Sequence, residues 1–310
     1  MKDSHQMKNL SSSQEVAEDI ARTHALMLAG NAKPYADAVQ SQDQGLPPQG
    51  AGIVQAARML GFVEHDAQCL SRAWQAQALR TGHFSTGAWP DHPQDFGIAP
   101  WPRSNAFPSC PNSLGLYAVL PDAQWVARMA QAGVPTLQLR FKSDDPAAVT
   151  REVRAAVKAV QGTQALLFIN DHWQVAIAEG AYGVHLGQED MEIAPIATLR
   201  ASGLRLGLST HGYVEMLRAE AHSPSYLALG AVFPTTLKRM QTAPQGTGRL
   251  GAYAKLLAGQ SLVAIGGIDL DRVPMVMRCG VGSIAVVRAI TGASDPERSA
   301  AQLTELIKRV

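Results

Sequence analysis

The chain has 310 residues, 46% of them hydrophobic, enough for one large domain or for a barrel with a small extra module. Twenty-seven basic against 26 acidic side chains leave a net charge of +1, without the basic excess that marks nucleic-acid or membrane-surface binders, and neither partner is expected. Cys69, Cys110 and Cys279 form no CxxC pair, and no apolar run approaches the ~20 residues of a membrane span. No apolar segment follows the first six residues, so no signal peptide is expected, and reduced thiols in a cytoplasmic protein are.

Residues 1–83 read as a mainly helical N-terminal extension. Val16, Ile20, His24 and Leu28 recur near helical spacing, and a second helical segment runs from Ile53 to Leu79 with Leu70, Trp74, Ala76 and Leu79 on a rough stripe. Between them, Ser41 to Gly52 is rich in Gln, Gly and Pro and reads as a loop. Residues 84–113 read as a linker, because Pro90, Pro93, Pro100, Pro102, Pro108 and Pro111 disfavour regular helix or strand.

From residue 114 to residue 310 the pattern becomes regular. Eight short runs of β-formers alternate with helical stretches: Leu116–Val119, Thr136–Leu139, Leu166–Ile169, Gly183–Leu186, Leu206–Ser209, Tyr226–Leu229, Leu262–Ile265 and Ile284–Val287. Val149, Val153, Val157 and Val160 mark the apolar face of a helix between the second and third. Eight strands alternating with helices predict an α/β fold, a (β/α)₈ TIM barrel. A doubly wound open sheet is the alternative, but no early GxGxxG supports it.

In such barrels the site lies where the strands end. Arg140 and Lys142 follow the second run, Asn170-Asp171 the third, Asp190 the fourth, Ser209-Thr210-His211 closes the fifth, Lys238 follows the sixth, Gly266-Gly267 the seventh and Arg288 the eighth. Four cations and two carboxylates at one mouth suit Mg²⁺ and a substrate with much negative charge, such as a diphosphate. A glycine pair lets backbone N–H groups approach an anion. Singly, each feature has an ordinary explanation: a solvated loop charge, a helix cap, a turn glycine, or a packed barrel histidine at His185. Their coincidence at one end of eight strands carries the argument.

At these residues the sequence resembles the thiamine phosphate synthase family. The resemblance rests on Gln138-Leu139-Arg140-Phe141-Lys142, Phe168-Ile169-Asn170-Asp171, Gly183 through Asp190, Leu208 through His211, Val232 through Lys238, Ala243 through Gly246 and Ala264 through Ile268. It implies a transferase that joins a hydroxymethylpyrimidine diphosphate to a thiazole phosphate, releasing diphosphate, with Mg²⁺ as cofactor. By this resemblance Gln138, Arg140, Lys142, Asn170, Ser209 and Lys238 hold the pyrimidine diphosphate, and Leu139 and Phe141 between them count among the substrate-binding residues, Phe141 chiefly through loop packing. Arg140, Lys142, Lys238 and Ser209 are the expected catalytic groups, and Asp171 and Asp190 the metal ligands. Thr235, Thr236, Leu237, Gly267, Val287 and Arg288 surround the thiazole phosphate. Two positions depart from the family: Leu237 stands where a second threonine is usual, and Arg288 where serine is common. An arginine there would offer a bidentate phosphate contact.

The extension, at Gly50-Ala51-Gly52-Ile53, Leu79 through Gly82 and Phe96-Gly97, faintly resembles the end of a hydroxymethylpyrimidine phosphate kinase. A degenerate remnant and an unrelated helical extension both fit. Two other functions stay open at this stage. One is a thiazole tautomerase-like paralogue with His211 as its acid–base group. The other is a non-catalytic ligand-binding regulator whose extension mediates assembly. The expected partners are the two small-molecule substrates, and a homo-oligomer is compatible with the sequence.

Overall fold

The computed structural model describes residues 12–28, 47–101, 103–235 and 242–309, which divide into two compact units, residues 1–97 and 98–310. Among the described residues of the first unit three α-helices stand out: α1 (Ser13–Leu28), α2 (Pro48–Met59) and α3 (Glu64–Thr81). Val16, Ile20, His24 and Leu28 are buried along α1, as their spacing predicts. The segment from Ile53 to Leu79 is two helices rather than one. Gly61 takes φ 83°, its N–H bonds Arg58 O, and Phe62 N–H bonds Ala57 O, so the chain turns out of α2 in a left-handed cap. Phe62 is itself buried, which is why the apolar pattern runs on across the break. The start of α2 also falls inside the stretch read as loop, with Pro48 in the first helical turn, where a missing N–H does no harm. At Gly52 a Cβ would lie 2.6 Å from Ser13 O and 2.7 Å from Val16 Cβ, so a larger residue would force α1 and α2 apart.

The segment after α3 folds back on these helices. Trp74 Nε1 donates to Ser85 O (2.9 Å), and Arg80 holds Asp95 with two 2.7 Å bonds. His24 sits edge-on to Trp74 and Trp89, bonded through Nε2 to Thr86 O at 2.8 Å. Burial lowers its pKa from the ordinary histidine value.

The second unit is a closed parallel barrel, β1 through β8 in sequence order, each strand paired with the next and β8 with β1. The strands are β1 (Gly115–Leu120), β2 (Thr136–Leu139), β3 (Leu166–Asn170), β4 (Gly183–Leu186), β5 (Arg205–Thr210), β6 (Tyr226–Leu229), β7 (Leu262–Ile265) and β8 (Ser283–Val286). Each falls on one of the eight predicted runs, with ends displaced by at most one residue. Among the described residues ten helices surround them: α4 (Ala123–Gln131), α5 (Pro146–Ala159), α6 (Trp173–Ala178), α7 (Gln188–Ile193), α8 (Ile196–Ala201), α9 (Tyr213–Ala221), α10 (Gly246–Leu256), α11 (Val273–Met277), α12 (Arg288–Thr291) and α13 (Pro296–Lys308). Among the described residues no helix is long and apolar enough to cross a membrane.

Residues 98–113 close the barrel at the end where its strands begin. Arg103 pairs with the buried Glu220 carboxylate and donates to Glu220 O and Ser223 Oγ, each at 3.1 Å. Phe107 N–H bonds Ser223 O (2.9 Å), Arg205 bonds Ser109 O (3.1 Å), and Ser261 Oγ bonds Pro111 O (2.9 Å). Cys110 and Leu114 then join Tyr117, Phe168 and Tyr226 in the barrel interior. The cysteines are free, and burial pushes the Cys69 and Cys110 thiols up to about 11 and about 12, so neither is a reactive thiolate at neutral pH.

Candidate active site

The opposite end of the barrel opens into a cavity of about 1020 Å³. Strand alternation decides which side chains reach it. Along β2 and its exit, Gln138, Arg140 and Lys142 line the cavity. Leu139 lies between them at 1% exposure, turned into the layer between strand and helices. Neither Leu139 nor Phe141 brings a side chain to the cavity wall, so only their backbones could meet a substrate. Gln138 Nε2 donates to Asn170 Oδ1 at 2.6 Å across β2 and β3, and both are buried. This leaves the Gln138 carbonyl as an acceptor and the Asn170 amide as a donor, a complementary pair for a heterocycle edge.

Asp171 follows at φ 61°, a left-handed conformation rare for a residue with a side chain, and its N–H bonds His185 O at 3.0 Å. Lys142 Nζ reaches its carboxylate at 2.5 Å. Asp190, in the first turn of α7, faces Asp171. Burial first, and the Asp171 carboxylate second, hold the Asp190 carboxyl above the ordinary range. Ser209, one residue before the end of β5, stands at the cavity wall, its Oγ 2.8 Å from His185 Nε2. Two residues on, His211 is held by Glu215, which accepts from the His211 backbone N–H (2.9 Å) and bonds Nδ1 (2.6 Å).

Across the cavity stand Thr235, Gly267, Val287 and Arg288. Thr236, Leu237 and Lys238 lie outside the described residues. Gly266 (φ 106°) and Gly267 (φ 64°) take conformations that a side chain resists. A Cβ on Gly267 would lie 2.6 Å from Pro234 O, so the exits of β6 and β7 touch backbone to backbone. Arg272 ties them together: it donates to Gly267 O, and its guanidinium sits 4.7 Å over the Phe233 ring.

A family model described as thiamine monophosphate synthase matches residues 116–290, the span from β1 to α12. The chain belongs to the thiamine monophosphate synthase family. It is 53% identical over 191 residues to a thiamine-phosphate synthase of Neisseria meningitidis serogroup B, covering 62% of this chain and 93% of that one. It is 51% identical over 202 residues to a thiamine-phosphate synthase of Yersinia pestis, covering 65% and 94%. A thiamine phosphate pyrophosphorylase structure from Pyrococcus furiosus aligns at TM-score 0.57 and 30% identity, over 64% of this chain and 97% of that one.

For a member of the thiamine monophosphate synthase family, the acidic pair is the natural place to test for a cation. Two carboxylates close enough that one raises the other's pKa repel each other, and a divalent cation between them would relieve that repulsion. The donor set, two carboxylate side chains with room for water and phosphate oxygens, suits Mg²⁺. Arg272, Glu215 and Tyr226 were not legible as site residues. Arg272 reaches back from the start of α11, Glu215 lies one helical turn past a strand end, and Tyr226 sits inside a strand.

Proposed function

We propose that the barrel joins a hydroxymethylpyrimidine diphosphate to a thiazole phosphate, giving thiamine phosphate and diphosphate. The observation that carries this reading is the pairing of two anion sites in one cavity. Arg140, Lys142 and the Asp171–Asp190 pair lie at β2 to β4, and Thr235, Gly267 and Arg288 at β6 to β8. In the reaction the bond from the pyrimidine methylene to the diphosphate oxygen breaks, and its electron pair leaves with the diphosphate. The thiazole nitrogen lone pair forms the new C–N bond and the ring becomes a thiazolium. No proton need be removed, so the work is orientation and charge stabilisation.

Gln138 and Asn170 would hold the pyrimidine edge, while Arg140, Lys142 and Ser209 face the diphosphate. Lys238, by the family pattern, would join them. Mg²⁺ held by Asp171 and Asp190 would supply further neutralisation of the leaving diphosphate. Gly267 N–H, Thr235, Val287 and Arg288 would receive the thiazole phosphate, with Thr236 and Leu237 beside them by the same pattern. Free, poorly acidic thiols accord with a cytoplasmic setting. The test is incubation of the purified chain with both substrates, with and without Mg²⁺, and chromatography of thiamine phosphate. Metal-dependent formation is expected, and no product at any Mg²⁺ concentration would overturn the reading.

A further inference from the structure

Below the cavity a chain of hydrogen bonds runs through the barrel interior. Tyr117 Oη lies 2.7 Å from Tyr226 Oη, Tyr226 Oη lies 2.7 Å from His185 Nδ1, and His185 Nε2 lies 2.8 Å from Ser209 Oγ. Both tyrosines are fully buried, and burial raises both hydroxyls far above the ordinary phenol pKa, so each brings one proton to the chain. A hydroxyl donates once, and a neutral imidazole donates from one nitrogen and accepts at the other.

The end of this chain decides its direction. Among the described residues Tyr226 is the hydrogen-bond partner of the Tyr117 hydroxyl, which otherwise lies in a cluster with Phe168, Cys110, Leu114 and Val119. If His185 donated from Nδ1 to Tyr226, Tyr226 would donate to Tyr117, and the Tyr117 proton would face an apolar interior without an acceptor. A doubly protonated ring would orphan the same proton. Buried donors left unmet are rare because their desolvation is not repaid. The opposite direction satisfies every group.

We propose that this dead end polarises the chain toward the cavity. Tyr117 donates to Tyr226, Tyr226 donates to His185 Nδ1, and His185 Nε2–H donates to Ser209 Oγ. The Ser209 proton is thereby withheld from the imidazole and offered to an acceptor atom of the pyrimidine diphosphate. His185, at the cavity wall beside Ser209, and Tyr226 beneath it are assigned as positioning residues: they make Ser209 an obligate donor. The part concerning Ser209 rests on the proposed coupling reaction, whereas the tautomer of His185 does not.

The experiment is ¹⁵N NMR of the full chain labelled at histidine, with the His185 signals assigned by their loss in His185→Gln. The expected spectrum shows Nε2 protonated and Nδ1 bare; a protonated Nδ1 overturns the proposal whatever the enzyme does. Two variants separate the polarised chain from mere packing. In Tyr117→Phe the dead end moves to Tyr226 and the direction survives, so the tautomer is unchanged and the KM for pyrimidine diphosphate stays within about twofold. In Tyr226→Phe neither nitrogen is favoured, so both tautomers appear and that KM rises roughly three- to tenfold, about the loss of one hydrogen bond. The KM for thiazole phosphate stays put. His185→Gln, which keeps an N–H near Ser209, retains more activity than His185→Ala. On a Ser209→Ala background the Tyr226→Phe effect on KM disappears. A single unchanged tautomer in Tyr226→Phe, or an effect that persists without the Ser209 hydroxyl, overturns the role assigned here. Absence of coupling in the wild-type chain would sink the proposed reaction and leave the NMR result standing.

Discussion

Asp171 combines backbone strain with charge crowding. At φ 61° it holds a conformation that only glycine, asparagine and aspartate enter readily, and its carboxylate lies between Lys142 and Asp190. Asparagine tolerates the same backbone and removes the repulsion with Asp190, and the lost contact is with a Lys142 side chain that is 56% exposed. Asp171→Asn is therefore expected to change folding stability by no more than about 1 kcal/mol, since exposed ion pairs contribute little. Turnover should fall on the order of 10²-fold or more, as for other losses of transition-state charge stabilisation. Denaturant melts and steady-state rates at saturating Mg²⁺ check the two halves separately, and unchanged turnover would remove Asp171 from the metal site. His24 makes a second residue-scale prediction, in the first unit. Its folded pKa lies below its unfolded value because burial penalises the cation. The unfolded chain therefore binds a proton first as pH falls through about 6.5, and stability declines until the folded pKa is passed. Thermal melts from pH 7.5 to 5.5 should show this decline in the wild type and less of it in His24→Gln. The place of Asp171 at the cavity was legible because it follows a strand whose end the sequence marks. His24 was legible as a buried position from its spacing, but its tryptophan neighbours come from α3 and from Trp89, which no local pattern connects.

The strands were more legible than the helices because each carries its own signal. A run of four β-formers bounded by polar residues is a strand wherever the barrel puts it, and β2, β4, β6 and β7 match their runs residue for residue. The break between α2 and α3 was hidden by Phe62, which kept the apolar spacing alive across a left-handed glycine. The exits of β6 and β7 were legible as separate glycine and threonine motifs, but their contact was not. Arg272 adds to that backbone contact, through the Gly267 carbonyl and the Phe233 ring, from 39% side-chain exposure. Because Gly267 and Thr235 both belong to the proposed thiazole phosphate site, loosening this clasp should act on one substrate. Arg272→Ala is expected to raise the KM for thiazole phosphate about tenfold, the range for losing a charge-assisted hydrogen bond together with a cation–π contact. The KM for pyrimidine diphosphate should move less than about twofold, because all of its proposed groups except Lys238 sit on β2 to β5. Lysine at this position restores charge but not the planar fork, so only partial recovery is expected. Equal rises in both KM values would show that Arg272 supports the whole rim rather than the clasp.

At the scale of the whole molecule, the question is where the catalytic unit begins. The cavity is lined by residues between Val119 and Gly292, all in the second unit. Prolines mark residues 84–113 as irregular, but irregular backbone carries no periodicity to say where it packs. The hydrogen bonds to Ser223, Ser261 and Arg205 join residues far apart in sequence. Those contacts make residues 98–113 part of the barrel's closure, and two truncations separate that role from a linker's. A chain starting at residue 98 keeps every cavity residue and the whole closure, so it should fold and couple the substrates within about threefold of full-length kcat/KM, as a domain with its own core can. A chain starting at residue 114 loses Arg103 opposite the buried Glu220 and uncovers the core that Phe107 and Cys110 shield. Breaking a buried pair from one side costs about 3–5 kcal/mol, partly offset here as water reaches the freed carboxylate. The uncovered apolar surface adds to the loss at roughly 25 cal/mol per Å². With about 2–4 °C of Tm per kcal/mol for a unit of this size, the shorter chain should melt about 10 °C or more below the longer one. Differential scanning calorimetry of the two barrels decides the matter: equal melting temperatures would return residues 98–113 to the status of a linker.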